Sequence, residues 1–353
     1  MKTVVEIDGE KFLLNDRLTY KDVRYRNFTV EGLLMNSRMI QAIADDENPE
    51  TRKLWANPDT GAWDPERNTR EFCEALPVYR KSGLLAVTVG LQAGGSVYSS
   101  KVWNNCRMSG FAPDGAVKPA WKKRLLKVLK AADDCGMVVI INLFYWKQIR
   151  LIPDDKAVIK AVESACDLVL CSGFRNVIVD VANESASWWN RPVCRPENIH
   201  RLILAAKAAS RNGRRLLVGS STGGDNLPTG EWLEAEDVSL PHGNGNTPDR
   251  LRQRIRELRS SDAFRKRPRP LLINEDSVNL ANMETSLEEY CSWGYYSQGA
   301  GSADPQYEKI WPGAREKRYG DLSGFQTLPV NWGVNTAQKR AFFDKVAEVT
   351  GGE

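Results

Sequence analysis

Short apolar segments alternate with longer amphipathic segments along almost the whole chain. The apolar segments are rich in Val, Ile and Leu, which is typical of buried strands, and the amphipathic segments carry apolar residues at helical spacing. Strands are predicted at 30–36, 84–90, 138–144, 176–182, 216–220, 238–240, 270–274 and 294–297. Helices are predicted at 64–82, 120–134, 154–171, 196–212, 286–293 and 335–349, with a further helix beginning at 247–249.

The order of these elements predicts a single closed barrel. Strands that alternate strictly with helices indicate a parallel sheet, and eight of them favour a (β/α)8 TIM barrel over an open doubly wound sheet. The first strand–helix turn also has no GxGxxG motif of a dinucleotide fold. We expect one domain over 1–353, in which 1–28 form an N-terminal β-hairpin and cap and 29–350 form the barrel, with long loops at its C-terminal face. An Asp8-Gly9 turn between apolar runs predicts the hairpin.

Composition narrows the functional class. The chain has a formal net charge of +4 and no basic run with interleaved aromatic residues, so neither nucleic acid nor an anionic membrane is an expected partner. No apolar run reaches the roughly 20 residues of a membrane helix. The first residues do not form a signal peptide, which favours the cytoplasm unless an export signal has been removed. With two histidines and no paired CxxC spacing, no metal and no cofactor are predicted.

Two of the predicted strands end in a carboxylate. The fourth runs into Asn183 and Glu184, and the seventh runs into Glu275. Active sites of TIM barrels lie at the C-terminal ends of the strands, so the two glutamates are expected to meet at the barrel mouth. Asp180 has the same orientation as Glu184 on an alternating strand and would lie one layer deeper, where a charge is costly unless it is paired.

The motif Asp180-x-x-Asn183-Glu184, followed by Glu275 three strands later, resembles the paired acids of glycoside hydrolase clan A. The resemblance extends over residues 30–350 and implies a retaining hydrolase of carbohydrates, with Glu184 as acid/base and Glu275 as nucleophile. Asn183 would hydrogen-bond the 2-hydroxyl of the sugar. A Ser follows Glu184, where Pro is frequent in the clan, and Asp276 follows Glu275. No subfamily is assigned, so the sugar, the linkage and the choice between internal and terminal cleavage stay open.

Polar and aromatic residues near the other strand ends are candidates for substrate binding. Arg38 and His242 are expected to flank Glu275, and aromatic rings offer faces on which sugars stack. The predicted substrate-binding residues are Arg38, Gln92, Asn142, Asn183, His242, Trp103, Tyr145, Trp146, Trp188 and Tyr296, with Trp189 and Trp293 as further aromatic candidates.

Other interpretations of the same residues remain open at this stage. The glutamates could form salt bridges at the barrel rim, in a barrel that binds a carbohydrate or another partner without turnover. The same carboxylates could also serve a transglycosylase or a lyase. The carboxyl separation discriminates between hydrolytic mechanisms, because retention needs about 5–5.5 Å and inversion about 6.5 Å or more. Oligomeric state, including a homo-oligomer, is also left open.

Overall fold

A parallel sheet forms the centre of the computed structural model, which describes residues 1–95, 99–299, 309, 313 and 317–352. In the order in which they pair, its strands are Leu217–Gly219, Val177–Ala182, Val138–Phe144, Ala86–Gly90, Asn36–Arg38 and Gly294–Tyr295. Every pairing is parallel. The sequential strands are therefore neighbours, as strand–helix–strand units require.

Short pairings close this sheet into a ring. Ser221–Thr222 pairs in parallel with Leu240–Pro241. Ser239 then bridges to Leu271, and Leu272 bridges to Ser292, just before the final strand. These contacts add the sixth and seventh strand positions and confirm the predicted (β/α)8 barrel.

Helices pack around the outside of this ring, and several begin at residues suited to that position. Asp64 accepts hydrogen bonds from the first turn of its helix, and Pro occupies the first position of four helices, where no N–H is needed. The α-helices are Pro49–Arg52, Pro65–Lys81, Ser100–Asn105, Pro119–Cys135, Asp155–Ser172, Ile199–Ala208, Gly230–Ala235, Pro248–Ser260, Asp262–Lys266, Leu280–Glu288 and Ala337–Thr350. Short 3-10 helices occur at Lys53–Trp55, Ile149–Leu151, Pro192–Cys194 and Tyr319–Asp321.

The predicted N-terminal hairpin closes the bottom of the barrel. Val5–Asp8 pairs antiparallel with Lys11–Leu14 around the expected turn, and Arg17–Leu18 adds a third strand. A second small hairpin pairs Arg24–Tyr25 with Phe28–Thr29. Phe12 is fully buried and packs in one cluster with residues at the start of the barrel strands: Leu34, Leu85, Val138, Ile178 and Leu272. This apolar plug leaves the opposite mouth as the end where polar side chains gather.

Several predicted boundaries are wrong. The first barrel strand is Asn36–Arg38 and not 30–36, because the apolar residues before it are buried without joining the ladder. The helix predicted at 286–293 is Leu280–Glu288, which ends before Tyr290 takes a left-handed φ of 50°. The helix predicted at 196–212 is also shorter, and a helix capped by Ser99 lies within the predicted loop after the second strand.

Two further features of the structure are the hydropathy of its helices and the state of its cysteines. Among the described residues, no helix is both long enough and apolar enough to cross a membrane. The seven cysteines all lie in the described part of the chain and are free thiols. Four of them are buried, whereas Cys171 is exposed.

Candidate active site

The two glutamates predicted from the strand ends meet at the barrel mouth. A carboxylate oxygen of Glu184 and one of Glu275 lie within 4.8 Å of each other and of a ring nitrogen of His242. The His242 Nδ1 is 3.1 Å from Glu184 Oε1 and 3.6 Å from Glu275 Oε2. The two carboxyls are therefore close enough to act on the same bound group.

Glu184 is held in an unusual backbone conformation. Its φ of 53° lies in the left-handed region, which costs a non-glycine residue about 1–3 kcal/mol and recurs at turns and at active sites. Ser221 accepts the Glu184 N–H through its Oγ at 3.2 Å, and the Trp189 indole donates to the Glu184 carbonyl at 3.1 Å. Burial raises the pKa of the Glu184 carboxyl, and the charge of Arg38 opposes this only in part. The arrangement favours a carboxyl that keeps its proton.

Glu275 differs from Glu184 in having a cation in direct contact. The Arg38 Nε lies 2.6 Å from Glu275 Oε2, and both side chains are almost fully buried, with 2% and 6% exposed. Asn244 donates its side-chain N–H to the other oxygen, Oε1, at 2.7 Å. A buried cation and an amide donor thus stabilise negative charge on this carboxylate and fix its orientation.

His242 connects the two carboxyls. Its side chain is fully buried, and burial lowers its pKa to about 4, so the ring is neutral near pH 7. A neutral imidazole adds no positive charge beside Glu184. The ring therefore holds the acid in place without favouring loss of its proton.

A fully buried carboxylate lies beneath the acid pair. Asp180 accepts hydrogen bonds from the side chains of Asn142 and Asn274, each at 3.1 Å. Ser221 donates both its backbone N–H, at 2.9 Å, and its hydroxyl, at 3.0 Å. Burial raises the pKa of Asp180, and these donors counteract that effect. The predicted deeper layer is present, and it joins the third, fourth, fifth and seventh strands.

We expect Asp180→Ala to destabilise the barrel by about 3 kcal/mol or more, because the buried donors lose their acceptor and each unsatisfied group costs about 1–3 kcal/mol. Urea unfolding followed by tryptophan fluorescence measures the effect. Asp167→Ala, at an exposed helical position, is the matched control and should change the free energy of unfolding by less than about 0.5 kcal/mol. Equal stability of the two variants would contradict a structural role for the Asp180 layer.

Asn183 and Tyr296 lie beside the acid pair. The Asn183 side chain is buried, and its Oδ1 has no hydrogen-bond partner among the described residues. The Tyr296 ring centre is 5.8 Å from the guanidinium carbon of Arg38. Burial raises the pKa of the Tyr296 phenol, and the nearby carboxylates of Glu275 and Glu184 raise it further. An amide with unused capacity and a phenol that stays protonated are both suited to hydroxyl groups of a ligand.

Gln92 and Asn142 are placed differently from the prediction, since neither has exposed surface. Gln92 donates to the Ser109 hydroxyl at 3.1 Å and accepts the Tyr145 backbone N–H at 3.0 Å. Asn142 donates to Asp180. Both amides therefore support the mouth from inside the protein and do not line it.

Four of the predicted aromatic residues form a continuous chain of ring contacts. Trp103 contacts Tyr145 at a centroid distance of 6.3 Å and Trp146 at 5.9 Å, and Trp146 meets Trp188 edge to face at 4.8 Å. Gly94 makes room for the phenol, because a Cβ there would lie 2.7 Å from the Tyr145 ring. The chain runs outward to the Trp188 indole, which is 57% exposed.

The two further tryptophan candidates do not line the mouth. Trp189 is 1% exposed and Trp293 is fully buried. The Trp293 indole donates to Asp276 at 2.6 Å and so anchors the segment that carries Glu275. A tryptophan just after a strand end is as well suited to packing as to sugar stacking, and only the tertiary contacts separate these roles.

Three important residues were missed by the sequence reasoning. Asn244 holds Glu275, while Asn274 and Ser221 hold Asp180. Asn244 lies two residues after His242 in the loop that leaves the sixth strand, and Asn274 directly precedes Glu275. Polar residues at the exit of a buried strand were thus the available signal.

The cluster of Glu184, His242 and Glu275 also has the donor types of a divalent metal site. Arg38 already lies 2.6 Å from Glu275 and neutralises that carboxylate. A metal ion at this position would face the guanidinium charge at short range. The charge arrangement therefore suits an acid pair better than a metal centre.

No protein-family model matches the sequence, and no curated protein matches it. Solved structures do resemble the fold. A GH5-4 broad specificity endoglucanase from Clostridium longisporum has a TM-score of 0.53 and 8% identity, over 90% of this chain and 97% of that one. The endo-1,4-beta-mannanase from Rhizomucor miehei has a TM-score of 0.50 and 11% identity, over 83% of this chain and 89% of that one.

A third similar structure is the exo-beta-1,4-mannosidase Op5Man5 from Opitutaceae bacterium strain TAV5. It has a TM-score of 0.51 and 13% identity, over 92% of this chain and 62% of that one. At these identities the similarity concerns the path of the backbone. The chain thus shares the (β/α)8 barrel fold of these three enzymes.

Proposed function

We propose that this protein is a retaining glycoside hydrolase in which Glu184 is the general acid/base and Glu275 is the nucleophile. The main support is the pair of carboxyls at the barrel mouth, an oxygen of one lying within 4.8 Å of an oxygen of the other, with Arg38 in direct contact with Glu275. Burial favours the protonated form of Glu184, whereas Arg38 and Asn244 stabilise charge on Glu275. One protonated and one ionised carboxyl at this spacing are the requirement of double displacement.

In the first step Glu275 attacks the anomeric carbon while the bond from that carbon to the leaving oxygen breaks. Glu184 transfers its proton to the leaving oxygen, and the sugar stays on the enzyme as a glycosyl ester of Glu275. Glu184 then removes a proton from water, which displaces Glu275 and releases the sugar with its original anomeric configuration. In this mechanism Asn183 binds the 2-hydroxyl of the reacting sugar, and its Oδ1, which has no hydrogen-bond partner among the described residues, supports that role.

The proposed substrate is a β-1,4-linked glycan, and the proposed functional unit is the single barrel domain. Three similar structures are described as an endoglucanase, an endo-1,4-beta-mannanase and an exo-beta-1,4-mannosidase. Their substrates supply the first probes for this chain. The aromatic chain at the mouth, which ends in the exposed Trp188 indole, supports a carbohydrate ligand, because flat apolar rings stack well on sugar faces.

The test is to follow hydrolysis of β-1,4-linked gluco- and manno-oligosaccharides by proton NMR. We expect the β-anomer of the product first, with the α-anomer formed only by later mutarotation. A Glu184→Gln/Glu275→Gln double variant is the control for contaminating activity. Initial formation of the α-anomer would show inversion, and inactivity of the wild-type protein on all these glycans would also contradict the proposal.

A further inference from the structure

Two cationic side chains lie beside the outer end of the aromatic chain. The Lys147 Nζ is 4.6 Å from the centre of the Trp103 ring and 4.7 Å from that of Trp146, a double cation–π contact. It also donates to Asn104 Oδ1 at 2.8 Å. Arg150 lies in the same place, where it donates to the backbone carbonyls of Lys147, Asn104 and Cys106. These contacts hold the two cations close together.

Neither cation has a carboxylate partner in the described part of the chain. The contacts of Lys147 and Arg150 are to rings, an amide oxygen and backbone carbonyls. Lys147 is only half-buried, and Arg150 is exposed. An ammonium group has three N–H donors, so Lys147 can bind a further acceptor while it keeps its contact to Asn104.

A cavity of about 270 Å³ joins these cations to the tryptophans. Its lining includes Trp146, Trp188, Lys147, Arg150, Asn104 and Asn190. Trp146 and Trp188 meet at an interplanar angle of 79°, so together they form an apolar corner with the cations at its side. The corner belongs to the Glu184 side of the mouth, since the adjacent Trp189 donates to the Glu184 carbonyl.

We propose that this corner is a subsite for a negatively charged sugar, a uronic acid or a sulfated residue, within the glycan. A pyranose ring would stack on the exposed Trp188 indole, and its anionic group would meet Lys147 and Arg150. The inference rests on the proposed glycoside hydrolase function for its ligand class. It goes further by stating that charge, and not only ring stacking, selects the glycan.

The test compares two probes that differ only at C6, the β-1,4-linked tetrasaccharides of glucose and of glucuronic acid. Their affinities for the Glu275→Gln variant are measured by calorimetry, so the result does not depend on hydrolysis. We expect the glucuronic acid probe to bind about fivefold more tightly, the scale of a solvent-exposed ion pair, and this preference to fall with added salt.

Added to the Glu275→Gln background, Lys147→Met and Arg150→Gln should each reduce the preference, while Lys122→Met, on an outer helix, should leave it unchanged. Trp188→Ala should weaken the binding of both probes. Equal affinity for the two probes, no measurable binding of the charged probe, or a preference that survives in both cation variants would overturn the subsite. If hydrolysis fails while the charge preference holds, the proposed activity is wrong and the subsite stands.

Discussion

Glu275→Ala is expected to lower kcat on glycan substrates by about 10⁴-fold or more, the scale seen when a covalent catalytic unit is disabled. The variant cannot form the glycosyl–enzyme bond, and Glu184 alone cannot replace it. Azide is small enough to occupy the space left by the carboxylate. On an activated aryl glycoside it should restore part of the activity and yield a glycosyl azide of inverted configuration, which NMR identifies.

The Ala variant also removes the partner of Arg38, a cation that is 2% exposed, and loss of one member of a buried pair can cost about 3–5 kcal/mol. Glu275→Gln is therefore needed as a second variant, because it keeps the size of the side chain. Glu257→Ala, at an exposed helical position, is the control for carboxylate loss and should retain wild-type activity. Activity of Glu275→Gln within tenfold of the wild type would refute the nucleophile assignment.

Glu184→Ala is expected to show a loss that depends on the leaving group. General acid catalysis contributes about 10²–10⁴-fold. For glycans, whose leaving group is a sugar alcohol that needs a proton, kcat/KM should therefore fall by that factor. Aryl glycosides with acidic phenols need little protonation and should lose far less in the first step. Kinetics on a series of aryl glycosides measures this, and an equal loss across the series would contradict the acid assignment.

The same residue determines the alkaline side of the pH profile. Glu184 must be protonated to act as acid, and burial raises its pKa above the ordinary glutamate value. Activity of the wild type should therefore fall as pH rises through this raised pKa, and the fall should disappear in Glu184→Ala. Burial lowers the pKa of His242 to about 4, so this ring loses its proton before the alkaline limb begins. An unchanged alkaline limb in the variant would assign the titration to another group.

Much of the barrel could be predicted because burial and periodicity are local properties. The segments at 84–90, 138–144 and 176–182 are mostly apolar, and such segments become strands buried on both faces of a parallel sheet. The prediction of strand bounds failed where residues are buried without taking part in the hydrogen bonds of the sheet. Residues 30–35 are mostly apolar and mostly buried, yet the strand itself begins at Asn36.

The candidate active site, like the barrel, could be predicted only in part. The position of a carboxylate at two strand ends was visible in the sequence, and the rule that strand ends converge brought Glu184 and Glu275 together. The supporting contacts follow no such rule. Gln92 was predicted at the mouth and is buried in contacts to Ser109 and Tyr145, while Asn244 was missed although it holds Glu275.

The sequence by itself determined the order of strands and helices, the closed barrel and the two strand ends that carry the acids. It could do so because these features depend on local patterns of apolar and polar residues. Only the tertiary structure decided which carboxyl lies nearer the His242 imidazole and which is paired with Arg38. Those differences arise from residues far apart in the chain, since the protonation of a carboxyl depends on the burial and charges around it in space.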